Sequence, residues 1–296
     1  MRAHLRSLAI AAGTLLAVAL QVCGPAPAAV SRPRVAVIFL ENREYGDVIG
    51  NPALPYLNSL AQRYALATAY YGIRHPSLPN YIAATSGSTA GIDRNCLRCH
   101  VRKRNLVDQL ESAGISWKAY LEDAPRACYR GSDVGLYAKR HNPFAYYDSV
   151  VRDRGRCRKL VPLTRLDRDL ARRKLPRFVW ITPNRCHDMH DCASREADDF
   201  LSRLLPPLIA QLGPRGVLFI TFDEGTTTQG CCMKARGGRV ATIVAGPGAR
   251  RGIRSDVPYN HYSLLRTIEQ RFGLPKLGQA RCTCTKAMRD MVLPAR

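Results

Sequence analysis

The heptapeptide His75-Pro76-Ser77-Leu78-Pro79-Asn80-Tyr81 puts a hydroxyl beside an imidazole and an amide, just ahead of the apolar run Ile82-Ala83-Ala84. Proline is tolerated in a first helical turn, so the pattern predicts a helix over Leu78 to Thr85 with Ser77 at or near its N-cap. A hydroxyl there faces unpaired backbone N–H groups and the positive end of the helix dipole, which suits an anion such as phosphate. The ordinary use of a serine at that position is to cap the helix. Four other groups bear on the choice: Glu41-Asn42, the stretch Asp188-Met189-His190-Asp191, Asp223-Glu224, and His261. Glu41, Asp223 and Glu224 are hard oxygen ligands for a divalent cation, and Asn42 a neutral one. Such a cation would lower the pKa of the Ser77 hydroxyl and stabilise charge on a transferring phosphoryl group. His190 or His261 titrates in the range needed to protonate a leaving alkoxide. Taken singly, each group also reads as a turn, a cap, a solvated strand end or a core histidine.

What could bring these groups together is an alternation of strand and helix. Arg34 to Leu40 is a β-branched apolar run typical of a strand buried on both faces. Further strands are expected at Ile115–Leu121, Phe178–Thr182, Gly216–Phe222 and Val240–Ala245, and helices at Pro55–Ala65, Leu106–Ala113, Ala197–Leu212 and Tyr262–Phe272. The alternation predicts an α/β fold with a mainly parallel sheet and helices on both faces. In such sheets ligands bind beyond the carboxyl ends of the strands. Glu41-Asn42, the 183–191 stretch, Asp223-Glu224 and Asn260-His261 all follow predicted strands.

Residues 1–29 read as a signal peptide: Arg2 and Arg6, then the apolar Leu8 to Val22, then Ala26-Pro27-Ala28-Ala29 as the cleavage region. A secreted protein with one domain over residues 30–296 is expected, the irregular 123–173 stretch being a cap or insertion. The formal net charge of +22 favours anionic partners, phosphorylated substrates or anionic lipid surfaces among them. The basic residues are scattered and not interleaved with aromatics, so no specific nucleic-acid site is read. Without Cys23, the eleven cysteines leave ten, an even number that implies up to five disulfides of undetermined connectivity. Rival readings are a zinc site from Cys96-Leu97-Arg98-Cys99-His100 with Cys282-Thr283-Cys284, and a haem attachment at Cys96-x-x-Cys99-His100.

Seven motifs then occur in order: Leu40-Glu41-Asn42-Arg43; the heptapeptide; Tyr120 to Pro125; Tyr137 to Phe144; Pro183-Asn184 through Asp191; Phe222-Asp223-Glu224; and His261 to Leu265 with Gly273-Leu274-Pro275. Together, over roughly Arg34 to Gly278, they resemble the phosphoesterase family of secreted acid phosphatases and bacterial phospholipases C, within the alkaline phosphatase superfamily. The short secreted acid phosphatases of actinobacteria, some acting on phosphatidylinositol 3-phosphate, are the most similar in pattern. The resemblance implies a three-layer α/β/α sandwich and a nucleophile that is transiently phosphorylated, at the position of Ser77. It implies metal ligation by Glu41, Asn42, Ser77, Asp223 and Glu224, and phosphate contact or proton transfer by His75, His190 and His261. Asn80, Asp188 and Asp191 are expected to support substrate binding. Gly225 stands where many relatives carry a further acid. The cysteines exceed those of the short relatives, and Cys186 and Cys192 are expected to bridge across His187–Asp191.

The function expected is a secreted, metal-dependent acid phosphatase acting on a phosphorylated small molecule or phosphoinositide headgroup. A phospholipase C-type diesterase is the alternative, and a non-catalytic binder of anionic surfaces a third.

Overall fold

The computed structural model describes residues 33–295, all within one compact unit. The expected leader, with Cys23, lies outside the described residues. In chain order the elements are β1 (Val35–Leu40), α1 (Tyr45–Val48), α2 (Pro55–Arg63), β2 (Ala65–Tyr71), α3 (Ser77–Ser86), α4 (Leu106–Ser112) and β3 (Trp117–Leu121). Then come α5 (Asp148–Val151), α6 (Arg154–Cys157), β4 (Leu160–Pro162), α7 (Thr164–Ala171), β5 (Phe178–Thr182), α8 (Ser194–Gln211) and β6 (Val217–Phe222). The chain closes with β7 (Arg239–Ala245), β8 (Arg254–Ser255), β9 (Tyr259–Asn260) and α9 (His261–Phe272).

The strands form one sheet in the order β4-β3-β5-β1-β6-β7-β2-β8, with β9 also pairing β2. Strand β1 is central: all six residues are buried, and it runs parallel to β5 on one side and β6 on the other. That is why it reads as an unbroken apolar run rather than an alternating one. Among the strand pairs of the described residues, β2–β7 and β6–β7 are antiparallel and the rest parallel. Helices α3, α4 and α9 pack together as one group and α2, α7 and α8 as another. The expected α/β fold with a mainly parallel sheet is found.

Three expectations take a definite form. Helix α2 stops at Arg63, and Ala65–Tyr71 is the unanticipated strand β2. The 123–173 stretch is woven into the domain, because it supplies edge strand β4, which pairs with β3. Ten mature cysteines were expected to give up to five bridges; four are formed, Cys96–Cys99, Cys128–Cys157, Cys186–Cys192 and Cys282–Cys284. The bridge across His187–Asp191 is therefore present, and the thiols required by the zinc and haem readings are bonded to one another.

Candidate active site

Three neighbouring parallel strands end at one place. Glu41 follows β1, Asp188 lies in the loop after β5, and Asp223 and Glu224 follow β6. Glu41 N–H donates to Asp188 O (2.8 Å) and Asp223 N–H to Leu40 O (2.9 Å), so backbone bonds lock the three strand ends together. Asn42 turns the chain with φ of 49°, a conformation asparagine tolerates, and its N–H donates to Asp223 Oδ1 (3.1 Å).

Ser77 is the first residue of α3 rather than its cap; Pro76 occupies the cap position. The unpaired N–H of Leu78 is satisfied by Asn95 Oδ1 at 3.0 Å. Capping is thus taken over by a residue seventeen positions away in sequence. The Ser77 hydroxyl is free to face the carboxylates: Oγ lies 3.1 Å from Glu41 Oε2 and 3.4 Å from Glu224 Oε1. It is 3 % exposed, so the site is narrow and desolvated.

Such crowding of acids in a dry place disfavours their charged forms. Burial, then the nearby Asp223 and Asp188, holds the Glu41 carboxyl well above its usual range. Burial pushes Asp188 and Asp223 each up to about 7, and burial together with Asp223 pushes Glu224 up to about 9. Asp223 Oδ2 is buried with no partner. A buried carboxylate oxygen aimed into a cluster of other oxygens, with no cationic side chain among them, is the donor set of a hard divalent cation. Glu41, Asp223 and Glu224, with the Ser77 hydroxyl between Glu41 and Glu224, bring such oxygen donors together, while Asn42 contributes its backbone N–H to Asp223.

A histidine that sequence reasoning passed over joins this cluster. His141 is 1 % exposed, its Nδ1 lies 3.0 Å from Asp188 Oδ2, and its Nε2 is 3.3 Å from Glu41 Oε1. Burial holds it well below its usual pKa. With Nδ1 protonated toward Asp188, Nε2 turns a lone pair toward Glu41, so Glu41, His141 and Asp188 form a second ligand-like group on the far side of the same carboxylate. Tyr81 stacks on His141 and donates from its hydroxyl to Glu41 Oε1 at 2.5 Å.

The other expected residues divide. His75 Nδ1 lies 2.8 Å from Glu224 Oε2 and Nε2 lies 2.8 Å from Thr227 O, so it braces Glu224 at the rim. His190 Nδ1 bonds Asp191 Oδ1 (2.6 Å), which also pairs with Arg185 through Oδ2, while Nε2 lies 3.5 Å from Arg140 Nη2. Asp188 Oδ1 accepts from His190 N–H (2.8 Å), tying that loop to the acid cluster.

Two are placed differently from the expectation. Asn80 is buried and accepts the N–H groups of Ile73 and Arg74 while donating to Arg74 O. It closes the turn before Ser77, and its Nδ2 also donates to Glu224 Oε2 at 3.4 Å, so it supports the acid cluster from behind. His261 is fully buried: Nε2–H donates to Asp223 O (2.6 Å) and Nδ1 accepts from Tyr70 Oη–H (3.0 Å). Burial lowers its pKa to about 4, so it stays neutral behind Asp223 and positions it.

Gly225 has a local explanation. A Cβ there would meet Glu44 Oε1 at 2.3 Å, and Glu44 Oε1 accepts the N–H groups of Thr226 and Thr227. An acid from elsewhere in the chain fills the space that a side chain at 225 would need. A cavity of about 690 Å³ opens instead beside the ends of β3 and β4, lined by Glu122, Asp123, Leu163, Phe200 and Leu204 and not by Ser77.

The raised carboxyl pKa values make a stability prediction. Unfolded Asp and Glu titrate near 4. Folded, these acids hold their protons to about 7 and 9, so the stability they contribute is present below pH 4 and is lost as pH rises toward 9. Melting of chelated protein should show this loss, and a divalent cation should raise Tm more at pH 8 than at pH 5. Equal cation effects at the two pH values would count against the carboxylate cluster as the binding site.

The sheet thus carries, at the carboxyl ends of its strands, a serine at a helix start and a cluster of buried acids. The phosphoesterase family profile matches residues 39–275, and the chain belongs to that family. It is 33 % identical over 262 residues to the phosphate-repressible acid phosphatase of Penicillium chrysogenum, covering 84 % of this chain and 61 % of that one. It is 30 % identical over 250 residues to the phosphatidylinositol-3-phosphatase of Mycobacterium tuberculosis, covering 83 % and 79 %. The chain spans about three fifths of the length of the fungal relatives it matches. Among solved structures, a Vibrio parahaemolyticus protein of the alkaline phosphatase superfamily superposes with a TM-score of 0.55 at 13 % identity, covering 82 % of this chain and 67 % of that one. The phosphonate monoester hydrolase of Agrobacterium radiobacter gives 0.55 at 13 %, covering 82 % and 74 %. These two share the fold.

Proposed function

We propose that this chain is a secreted, metal-dependent phosphomonoesterase of the acid phosphatase type in which Ser77 accepts the phosphoryl group. The observation that carries this reading is the Ser77 hydroxyl, relieved of capping and aimed at Glu41 and Glu224 from the first turn of α3. A divalent cation held by Glu41, Asn42, Ser77, Asp223 and Glu224 would supply charge neutralisation and a lowered hydroxyl pKa. Ser77 Oγ attacks phosphorus with the helix N-terminus behind it, where backbone N–H groups favour the negative charge of the phosphoryl group. The hydroxyl proton would pass to solvent, since Glu41 Oε2, 3.1 Å away, is taken up in holding the cation. His190 protonates the leaving alkoxide from Nε2, with Asp191 fixing its ring through Nδ1. Arg140, beside that Nε2, offers a guanidinium to the phosphoryl oxygens. Water then hydrolyses phosphoserine by the reverse geometry.

Several features support the substrate class and location. Four disulfides fit an oxidising compartment outside the cytosol, in keeping with the leader read at residues 1–29. The net charge of +22 draws anionic esters and anionic lipid surfaces. The relatives' names, an acid phosphatase and a phosphatidylinositol-3-phosphatase, support phosphomonoesters and a phosphoinositide headgroup as substrates. The test is hydrolysis of p-nitrophenyl phosphate against bis(p-nitrophenyl) phosphate from acidic to mildly alkaline pH, with and without chelator. Phosphate release from vesicles containing phosphatidylinositol 3-phosphate follows. Monoester preference lost on chelation is expected. Diester preference would move the chain to the phospholipase C type, and no turnover of any substrate with metal supplied would leave a binding role.

A further inference from the structure

Cys231 and Cys232 are adjacent in sequence, both half-buried and both thiols. An extended chain sends successive side chains to opposite faces. Here the two Sγ atoms converge to 2.8 Å. The local chain enforces this. Cys231 N–H donates to Ala235 O and Ala235 N–H to Cys232 O, making a tight reversal in which Met233 and Lys234 both take φ of 58°. Asn260, the N-cap of α9, holds Cys232 with Nδ2 at 3.1 Å from its carbonyl and 3.4 Å from its Sγ. Cys231 packs on a small apolar cluster of Ile73, Ala83, Ala235 and Tyr262. The hydrogen bond from Cys231 lowers the Cys232 thiol to about 7, while Cys231 is pushed up. A thiolate beside a thiol is where thiol–disulfide exchange begins.

We propose that Cys231 and Cys232 close a fifth, vicinal disulfide in the oxidised protein. With glutathione disulfide as oxidant, Cys232 thiolate attacks one of its sulfurs and releases one glutathione thiolate. Cys231, losing its proton to that leaving thiolate, attacks the Cys232 sulfur and releases the second glutathione. Two protein thiols are oxidised and one glutathione disulfide is reduced to two glutathiones. The S–S bond is about 2.05 Å, so the sulfurs close by under an ångström. Neighbouring Cα atoms across a trans peptide are about 3.8 Å apart, below the usual disulfide span, so this bridge is the first to be reduced.

Its placement matters to the site. The loop that holds it donates Arg236 N–H to Ile73 O and Gly237 N–H to Gly72 O, and its Thr227 carbonyl holds His75. The bridge therefore stiffens the strap that leads into α3. The inference does not depend on the phosphatase reading. The rival pairing is a cross-link to the Cys282–Cys284 bridge, since Cys284 Sγ lies 2.8 Å from Met233 Sδ.

Trypsin distinguishes the two. Cleavage after Arg215 and Lys234 keeps both thiols in one peptide, and cleavage after Arg281 and Lys286 keeps Cys282 and Cys284 in another. The full chain is incubated with glutathione disulfide, denatured, alkylated with iodoacetamide and digested. The 216–234 peptide is expected unalkylated and two hydrogens lighter than its dithiol form. In a reductant titration it should become doubly alkylated before the eight cysteines of the other four bridges. A doubly alkylated 216–234 peptide from the oxidised sample, or one linked to 282–286, would overturn the proposal.

Discussion

Ser77→Ala should reduce phosphomonoester turnover by at least about a thousandfold while leaving the fold unchanged. The size follows from the role: without Oγ nothing in the first turn of α3 can take the phosphoryl group, and water must attack directly. The innocence of the change for the fold follows from the same geometry. The hydroxyl caps nothing, because Asn95 satisfies Leu78 N–H and Pro76 holds the cap position. Alanine is the best helix former, and what is lost is one hydroxyl donor shared between Glu41 and Glu224. Stability should therefore shift by no more than roughly 1 kcal/mol. Steady-state kinetics, a melting curve and acid-quenched mass spectrometry for phosphoserine read the three parts. Wild-type rates in the variant would remove Ser77 as nucleophile; a collapsed fold would show that the hydroxyl is structural after all.

Much of this site was legible because parallel sheets announce their strand ends. Val35 to Leu40 is apolar throughout, so the first polar residue after it, Glu41, had to lie at the sheet's carboxyl edge, and the same logic located Asp188 and Asp223. The rule speaks of position and not of direction. His261 follows β9 as the rule requires, yet opens α9 with its ring turned behind Asp223 toward Tyr70, so it positions rather than reacts. His141 shows the opposite failure. It closes the short helical turn Lys139–His141, which no strand immediately precedes, and only the folded chain brings it to Glu41 and Asp188. Asn95 capping Leu78 is likewise a contact that local spacing cannot contain. Strand β2 was hidden because Ala65-Leu66-Ala67 reads as a continuation of α2, only Tyr64 separates the two, and no glycine or proline marks the change. Its partner β7 was found, but its antiparallel pairing with β2 and β6 was not legible from an apolar run.

The strongest test of the metal role is Asp223→Asn, because it separates the two jobs of that side chain. Oδ1 accepts two backbone N–H groups, from Asn42 (3.1 Å) and Glu224 (2.7 Å), and the carboxamide oxygen of asparagine can keep both. Oδ2 is the buried atom without a partner, and asparagine replaces it with an NH₂ group that cannot ligate a cation. The scaffold should persist while the ligand is lost. After dialysis against a divalent cation, elemental analysis should show the variant holding far less metal than wild type. Turnover should fall in parallel, by at least about a hundredfold. Stability should cross over. Without cation at pH 8 the variant should melt higher than wild type, since one member of a mutually repelling buried acid cluster has become neutral. With cation at pH 8 the order should reverse, because only wild type gains from binding. An alanine in the same place would leave the Asn42 and Glu224 N–H groups unsatisfied and confuse ligand loss with collapse. If Asp223→Asn binds cation with wild-type stoichiometry and turns over normally, the cation does not use Asp223, and the Glu41–His141–Asp188 side of the cluster becomes the place to look for it.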